Sequence, residues 1–143
     1  MKDKIFLDSN ILIYSFDKSD KVKQKISLDL TNQLVFNDNI YISTQVIQEF
    51  YINATQKIKE KIPSAEAKEF IKCLKTSNVY INDTDTIIQS IDIQKKYRLS
   101  FWDSLIISSA LSLNCNFLYS EDLQDGLVID GKMIVKNPFN RIG

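Results

Sequence analysis

The chain of 143 residues contains no histidine. Without an imidazole it has no histidine general base, no Ser-His or Cys-His nucleophile and no histidine metal ligand. Any hydrolytic chemistry must therefore come from carboxylates and the cations they bind. Oxygen ligands alone favour Mg²⁺ or Mn²⁺ over Zn²⁺.

Cysteine is scarce, and long apolar runs are missing. Cys73 and Cys115 stand alone in separate helical patterns without a CxxC motif, which predicts buried, inert thiols and neither a disulfide nor a metal site. The apolar runs are too short to cross a bilayer, and acids interrupt the amino-terminal segment before a signal-peptide core develops. We expect a cytoplasmic protein with no membrane partner.

An excess of charge of one sign is also missing, because 18 basic residues balance 18 acidic ones. The chain as a whole therefore lacks the positive field of a nucleic-acid binder that depends on charge alone. Two local basic groups are either solvated helix faces or a phosphate-contacting surface. They are Lys57, Lys59, Lys61, Lys68, Lys72 and Lys75, and then Lys95, Lys96 and Arg98.

Short apolar runs alternate with helical patterns along the chain. The length fits one domain spanning residues 1–143. Helices are predicted between the strands, and one of them, Trp102 to Asn114, is expected to turn Trp102 inward with Leu105 and Ile106. Fully apolar strands separated by helices are typical of a parallel sheet covered on both faces. The predicted strands are Ile5–Leu7, Ile40–Ile42, Val79–Ile81, Phe117–Tyr119, Leu127–Ile129 and Met133–Val135.

Four acids stand where a predicted strand ends or a helix begins. In open parallel sheets the ligand site lies beyond the carboxyl ends of the strands, and Asp8 and Asp122 follow the first and fourth strands. Glu49 lies beside the inward face of a helical pattern, and Asp103 opens the helix after Trp102. Taken singly, each also has a structural explanation, as a helix cap, a solvated side chain, a partner of the helix dipole or a turn residue.

Together, the segments around these acids resemble the PIN-domain family from Ile5 to Phe139. The resemblance implies a three-layer α/β/α fold whose parallel sheet has the strand order 3-2-1-4-5. It also implies a metal-dependent endoribonuclease, and the length is most similar to a VapC-type toxin of a type II toxin–antitoxin pair. The matching segments are Phe6–Tyr14, Ile42–Tyr51, Ser100–Ile106, Leu118–Gly126 and Asn137–Phe139.

The resemblance also assigns roles to the acids. Asp8, Glu49, Asp103 and Asp122 match the four acids of the family. We expect Asp8, Asp103 and Asp122 to bind one or two Mg²⁺ or Mn²⁺ ions, with Glu49 as a further ligand or the group that orients water. Asn10 and Ser120 are expected polar neighbours, and Asp125 an outer-sphere helper. Glu121 and Asp125 compete with Asp122 for the fourth position.

Electrostatics leads to the same cation without the resemblance. Two carboxylates about 4 Å apart repel by about 4 kcal/mol at an effective dielectric constant near 20. A cluster of them would raise the pKa of its members unless a divalent cation neutralised it. Such a cation would also activate water for phosphodiester hydrolysis.

The resemblance implies partners as well. They are an RNA substrate, an antitoxin that occupies the cleft, and a second copy of the chain in a homodimer. Phe16, Tyr51 and Phe70 are aromatics that would serve such an interface or the core. The chain carries no DNA-binding motif, so operator recognition would belong to the antitoxin.

Two other functions compete with the nuclease. A PIN-like domain that binds RNA or protein without catalysis is one. A HAD-like or receiver-type phosphoryl-transfer protein is the other, because Asp8 follows the first strand. Against the second, Asn10 stands where the HAD-like pattern has an acid, and Lys136 is the only candidate for a receiver lysine.

Overall fold

The computed structural model describes residues 3–142, which form a six-stranded sheet in the order β3-β2-β1-β4-β6-β5. Five strands are parallel, and β5 is antiparallel to β6. The central strand β1 lies between β2 and β4. The strands are β1 (Ile5–Leu7), β2 (Ile40–Ser43), β3 (Asn78–Tyr80), β4 (Phe117–Tyr119), β5 (Val128–Ile129) and β6 (Met133–Lys136).

The predicted class, an α/β fold with a parallel central sheet, is confirmed. The strand order differs in one detail, because β6 occupies the fifth position of the expected order and β5 adds an edge strand. Asp130 and Gly131 connect β5 to β6 with φ angles of 53° and 65°. An Asp-Gly pair tolerates such positive φ angles, which suit the tight turn of a hairpin.

Six α-helices within residues 3–142 cover the sheet. In all of them except α4, which begins after Pro63, a short polar side chain caps the amino terminus by accepting a local hydrogen bond from a main-chain N–H. The Ser43 hydroxyl accepts from Val46 N at 3.3 Å, and Asp83 Oδ1 accepts from Thr86 N at 2.9 Å. The helices are α1 (Ser9–Tyr14), α2 (Lys21–Phe36), α3 (Thr44–Ile52), α4 (Ser64–Leu74), α5 (Thr84–Tyr97) and α6 (Phe101–Ser112).

The core lies along the central strands and α6. Phe6, Leu7, Ile42 and Leu118 are fully buried in β1, β2 and β4. In α6 every residue from 104 to 110 is buried. The serines of this stretch donate hydrogen bonds to carbonyl or amide oxygens, so their hydroxyls are satisfied inside an apolar helix.

Three phenylalanines, one from the segment after α1 and one each from α3 and α4, pack together. Phe16, Phe50 and Phe70 form a triangle with ring centroids 5.4, 4.9 and 5.0 Å apart. Phe50 is fully buried, and the other two are partly buried against the core. Tyr51 is half-buried, and its hydroxyl shares a hydrogen bond of 2.9 Å with Ser64 Oγ. Phe16 and Phe70 therefore serve core packing.

Two sequence expectations on burial are wrong. Trp102, expected inward, is 62% exposed because it lies in the first turn of α6, before the helix enters the core at Ser104. Cys73 is exposed because the buried face of α4 carries Ala67 and Leu74, and Cys73 lies off that face. Cys115 is buried as expected, and burial raises the pKa of its thiol to about 12.

A π-helical turn, Asn53–Lys57, follows α3, and a 3₁₀ helix, Pro138–Ile142, follows β6. Within residues 3–142, no helix combines the length and the apolar character that crossing a membrane requires.

The aromatic triangle yields a stability prediction. We expect Phe50→Ala to lower the free energy of unfolding by about 3–5 kcal/mol, because it removes a fully buried ring and leaves a cavity. Phe36 is 90% exposed, so Phe36→Ala should change stability by no more than about 0.5 kcal/mol. Urea unfolding followed by circular dichroism measures both. Equal midpoints for the two variants would contradict this description of the core.

Candidate active site

An open pocket of about 380 Å³ lies beyond the carboxyl ends of the central strands. Asp8, Glu49, Asp103 and Asp122 all line it, together with Asn10. They come from four separate segments: the β1–α1 junction, α3, the start of α6 and the loop after β4. No lysine or arginine of the described chain lines the pocket. The four predicted acids therefore share one cavity without a basic neighbour in its wall.

Asp8 is the most buried of the four acids, with 4% of its surface exposed. It caps α1 by accepting from Ser9 N at 2.7 Å, and its other oxygen accepts from Ser120 Oγ at 2.7 Å. Its own N–H donates to Tyr119 O, which fixes the end of β1 beside β4. The capping role and the place in the pocket thus belong to the same carboxylate.

The pKa of Asp8 is raised to about 7. Burial is the largest cause, and the charges of Glu49 and Asp122 add to it. The hydrogen bonds from Ser120 and Ser9 act in the opposite direction, because they stabilise the charged form. Near neutral pH, Asp8 is therefore poised between its acid and its carboxylate.

Glu49 projects into the pocket from α3 and is half-buried. Burial raises its pKa, side-chain hydrogen bonds from Ser9 and Gln45 oppose that rise, and the charges of Asp103 and Asp122 add to it. Gln45 Nε2 lies 3.3 Å from Glu49 Oε2 and 3.1 Å from the Trp102 main-chain oxygen. One buried amide thus connects α3 to the beginning of α6.

Asp103 reaches the pocket from the first turn of α6. Ser100 caps this helix, and its Oγ accepts from Asp103 N at 3.1 Å. Burial raises the pKa of Asp103, a hydrogen bond with Ser100 opposes that rise, and the charge of Asp122 adds to it. Burial is the main cause of the raised pKa in Asp8, Glu49 and Asp103, and the charge of Asp122 adds to the rise in all three, so the three carboxylates lie near the same negative charge.

Three acids in the loop after β4 compete for the fourth position, and geometry separates them. Asp122 Oδ2 accepts from Asn10 Nδ2 at 3.2 Å, and the charge of Asp122 acts on each of the other three acids. Glu121 borders the pocket, but its carboxylate accepts from Tyr14 Oη at 2.7 Å and forms an ion pair with Lys23. The structure therefore brings Asp122, and not the engaged carboxylate of Glu121, into the cluster.

Asp125 lies outside this pocket. It borders a different cavity, between α2 and the carboxyl-terminal segment, and its oxygens accept from Asn137 N and Asn140 Nδ2, each at 2.9 Å. These hydrogen bonds lower its pKa. The structure gives Asp125 the position of a residue that fixes the chain after β6.

Asn10 and Ser120 hold the loop after β4 against α1. Asn10 donates to Asp122 and accepts from Glu121 N at 3.3 Å through Oδ1. Ser120 donates to Asp8 and accepts from Asp122 N at 3.2 Å. These two neutral side chains place the first and fourth acids relative to each other.

Several residues of the site were missed from the sequence. Gln45 and Asn53 lie four residues before and after Glu49, a spacing that places side chains on one helix face. Asn53 Nδ2 donates to Glu49 O at 2.8 Å. Lys23 and Tyr14 reach Glu121 across about a hundred residues of sequence, and such contacts give no local signal.

The donors of the pocket match a hard divalent cation, because they are carboxylate and amide oxygens with no sulfur or imidazole. No three acidic or cysteine side chains within residues 3–142 stand close enough together to form a ready-made metal cage. Mg²⁺ does not need one, since it usually keeps several waters and contacts one or two carboxylates. The residues present therefore fit a hydrated Mg²⁺ or Mn²⁺.

Comparison with known proteins agrees with this architecture. A model of the PIN domain family matches residues 5–124. A toxin–antitoxin complex from Klebsiella pneumoniae is similar, with a TM-score of 0.69, 20% identity, and coverage of 94% of this chain and 98% of that one. VapBC2 from Rickettsia felis bound to a promoter DNA fragment has a TM-score of 0.66 at 19% identity, with 93% and 97% covered.

A third similar structure is Mycobacterium tuberculosis VapC20, a toxin that cleaves the Sarcin-Ricin loop. Its TM-score is 0.61 at 15% identity, with coverage of 83% of this chain and 90% of that one. At these identities the structural likeness shows a shared fold. Among curated protein sequences, none matches the chain.

The raised pKa of Asp8 predicts how stability depends on pH in the absence of metal. Between its ordinary value of 3.8 and about 7, folded Asp8 holds a proton that the unfolded chain releases. Its contribution to stability is therefore fully present below pH 3.8 and is lost as the pH rises through 7. We expect the Tm in EDTA to fall between pH 5 and pH 8, and Asp8→Asn to flatten this decline.

Asp125→Asn is the matched control, because it removes a carboxylate whose pKa is lowered and which lies outside the pocket. It should leave the slope of Tm against pH as in the wild type. A wild-type Tm that is flat over this range, or that falls equally in Asp8→Asn, would contradict the assignment.

Proposed function

Because the chain belongs to the PIN domain family, we propose that it is a metal-dependent endoribonuclease that hydrolyses RNA phosphodiester bonds. The observation that carries the proposal is the convergence of Asp8, Glu49, Asp103 and Asp122 on one open pocket. A binding module gains nothing from a cluster of carboxylates that repel one another. A hydrolase that works through a cation needs such a cluster.

Asp8, Asp103 and Asp122 would hold Mg²⁺ or Mn²⁺, and Glu49 would be a further ligand or the group that orients the attacking water. When bound, the cation supplies a water of lowered pKa and offsets charge on the phosphate. Asp8 enters this role as a carboxylate, so its proton must leave when the cation binds.

The chain's own residues keep the pocket ready for this chemistry. Ser9 N and Ser120 Oγ hold both oxygens of Asp8, and Asn10 holds Asp122. Gln45 restrains Glu49, the further ligand or water-orienting group on α3. Neutral donors of this kind fix the carboxylates without consuming their charge, which stays available to the cation.

Phosphate binding would depend on lysines at the border of the pocket. The π-helical turn ends at Lys57, and Ile58, the next residue, lines the pocket. Lys57 and Lys59 flank Ile58 and are exposed. Since the wall of the pocket is acidic, these side chains are the cations placed to attract an RNA backbone.

The similar structures extend the proposal to a partner. Two of them are toxin–antitoxin assemblies, and a third is named as a toxin that cleaves the Sarcin-Ricin loop. We infer that this chain is a VapC-type toxin whose pocket is covered by an antitoxin. A homodimer and a cytoplasmic location belong to the same proposal.

RNA cleavage by the purified protein tests the proposal. We expect cuts in total cellular RNA with Mg²⁺ or Mn²⁺ and none in EDTA. Asp8→Asn and Asp103→Asn should each lose about a hundredfold or more, and Ser120→Ala about 10- to 100-fold, since partners of metal ligands cost that much when removed. Asp125→Asn should cleave like the wild type. Cleavage that survives Asp8→Asn would sink the site assignment, and loss in Asp125→Asn would reopen the fourth position.

The lysines beside Ile58 give a second prediction. Replacing both Lys57 and Lys59 by Ala should weaken RNA binding and reduce the slope of log affinity against log salt by about 1.4, because each contact to single-stranded RNA contributes about 0.7. Anisotropy of labelled RNA over a series of KCl concentrations measures this.

The matched control replaces Lys75 and Lys132, exposed residues that precede β3 and β6 and so lie at the opposite edge of the parallel sheet. It removes the same charge from the protein. Equal slopes for the two double variants would mean that net charge, and not a local contact, accounts for the effect.

A further inference from the structure

Trp102 directly precedes Asp103 of the acidic pocket, its side chain is exposed, and neither the carboxylate cluster nor the core uses it. We propose that Trp102 is a substrate-binding residue that stacks on an unpaired nucleobase next to the phosphate held at the pocket. The inference rests on the proposed ribonuclease function and deepens it. It names Trp102 as the residue that contacts a base beside the bound phosphate.

The main chain at Trp102 is fixed to the pocket. Trp102 directly precedes Asp103, which lines the cavity, and consecutive Cα atoms are about 3.8 Å apart. The Trp102 carbonyl oxygen accepts from Gln45 Nε2 at 3.1 Å, and the same amide nitrogen lies 3.3 Å from Glu49 Oε2. The main chain of Trp102 is therefore tied to two of the four acids: it is bonded to Asp103, and Gln45 connects it to Glu49.

The direction of the side chain suits a flanking contact. Neighbouring residues on a helix leave its axis about 100° apart, and Trp102 is not among the residues that line the cavity. The indole therefore lies outside the cavity, and in this proposal the phosphate faces Asp103 inside the cavity while its base lies against the indole outside it. Phe101 packs against Trp102 with its ring at 76° and 5.2 Å, which restrains the indole.

Exposure at this position needs a reason. Trp102 is 62% exposed, although the seven residues from 104 to 110 of the same helix are buried. A tryptophan buried in the core adds a large apolar contribution to stability, whereas the exposed side chain of Trp102 adds little. Phe36, at the end of α2, is exposed as well, but neither of its chain neighbours lines the pocket.

A nucleobase fits this surface better than other ligands of the pocket do. The wall of the cavity is acidic, so the sugar-phosphate chain alone finds little attraction there. Stacking on an aromatic ring adds affinity that tolerates any base, because every base has a π-face. Only bases that are not paired in a helix can stack in this way, so such a contact favours single strands and loops.

Fluorescence tests the proposal directly, because Trp102 is the only tryptophan of the chain. The full chain in EDTA, and Asp8→Asn in Mg²⁺, would be titrated with three probes of equal length: a single-stranded oligouridine, an abasic oligomer and an RNA duplex. We expect the single strand to quench or shift the emission. The abasic oligomer and the duplex should leave the emission unchanged even where anisotropy shows that they bind.

Substitutions at Trp102 measure how much the indole contributes to RNA affinity. Trp102→Ala should weaken binding of the single strand about 5- to 150-fold by anisotropy, the range expected for loss of one stacked base. Trp102→Tyr should restore most of it. Phe36→Ala is the matched control and should bind like the wild type. In cleavage assays, Trp102→Ala should raise KM with little change in kcat, and its Tm should stay near that of the wild type because the side chain is exposed.

Three results would overturn the inference: tryptophan emission unchanged by RNA that binds, equal effects of oligouridine and abasic oligomer, or wild-type affinity in Trp102→Ala. Emission that depends on protein concentration without RNA, with a dimer that Trp102→Ala dissociates, would assign the indole to contact with a second copy and also overturn it. Stacking without any cleavage would contradict the proposed function alone. Cleavage indifferent to Trp102 would contradict this inference alone.

Discussion

The repulsion among four carboxylates is the constraint on which the site depends. Asp8, Glu49, Asp103 and Asp122 line one pocket whose described wall contains no basic side chain. The fold holds them with neutral donors, and the ion pair nearby, from Lys23, is formed with Glu121. No basic side chain therefore neutralises the cluster, the charges of Glu49 and Asp122 add to the effect of burial on the pKa of Asp8, and the pocket remains a site for a divalent cation.

The order of the strands in the sheet brings the acids together. Because β1 and β4 are adjacent and parallel, the residues that follow them meet at one edge, and Asp8 comes within hydrogen-bond distance of Ser120. Glu49 and Asp103 arrive on helices that Ser43 and Ser100 cap, and Gln45 connects those helices. Asp8, Glu49 and Asp103 are thus positioned by rigid elements, and Asn10 and Ser120 fix the loop that carries Asp122, as a preorganised site requires.

The short apolar runs and the turn residues between them predicted the strands and the parallel class, because strands buried on both faces of a parallel sheet are almost entirely apolar. They placed Asp8 at the sheet edge for the same reason. They did not predict that Trp102 is exposed, because the spacing of apolar residues cannot show that α6 enters the core only at Ser104. Nor could they separate Glu121 from Asp122, since that choice depends on Lys23 and Tyr14, which lie far away in sequence.

Calorimetric titration of the metal-free protein with Mn²⁺ tests the central claim, that the carboxylate cluster of the pocket is a cation site poised by Asp8. The titration would be run near pH 6 in two buffers of different ionisation enthalpy. The account predicts saturable binding with release of protons to the buffer, because Asp8 must lose its proton to become a ligand. It also predicts that Asp8→Asn abolishes both. Binding that is as tight in Asp8→Asn, or no saturable binding to the folded wild type, would contradict it.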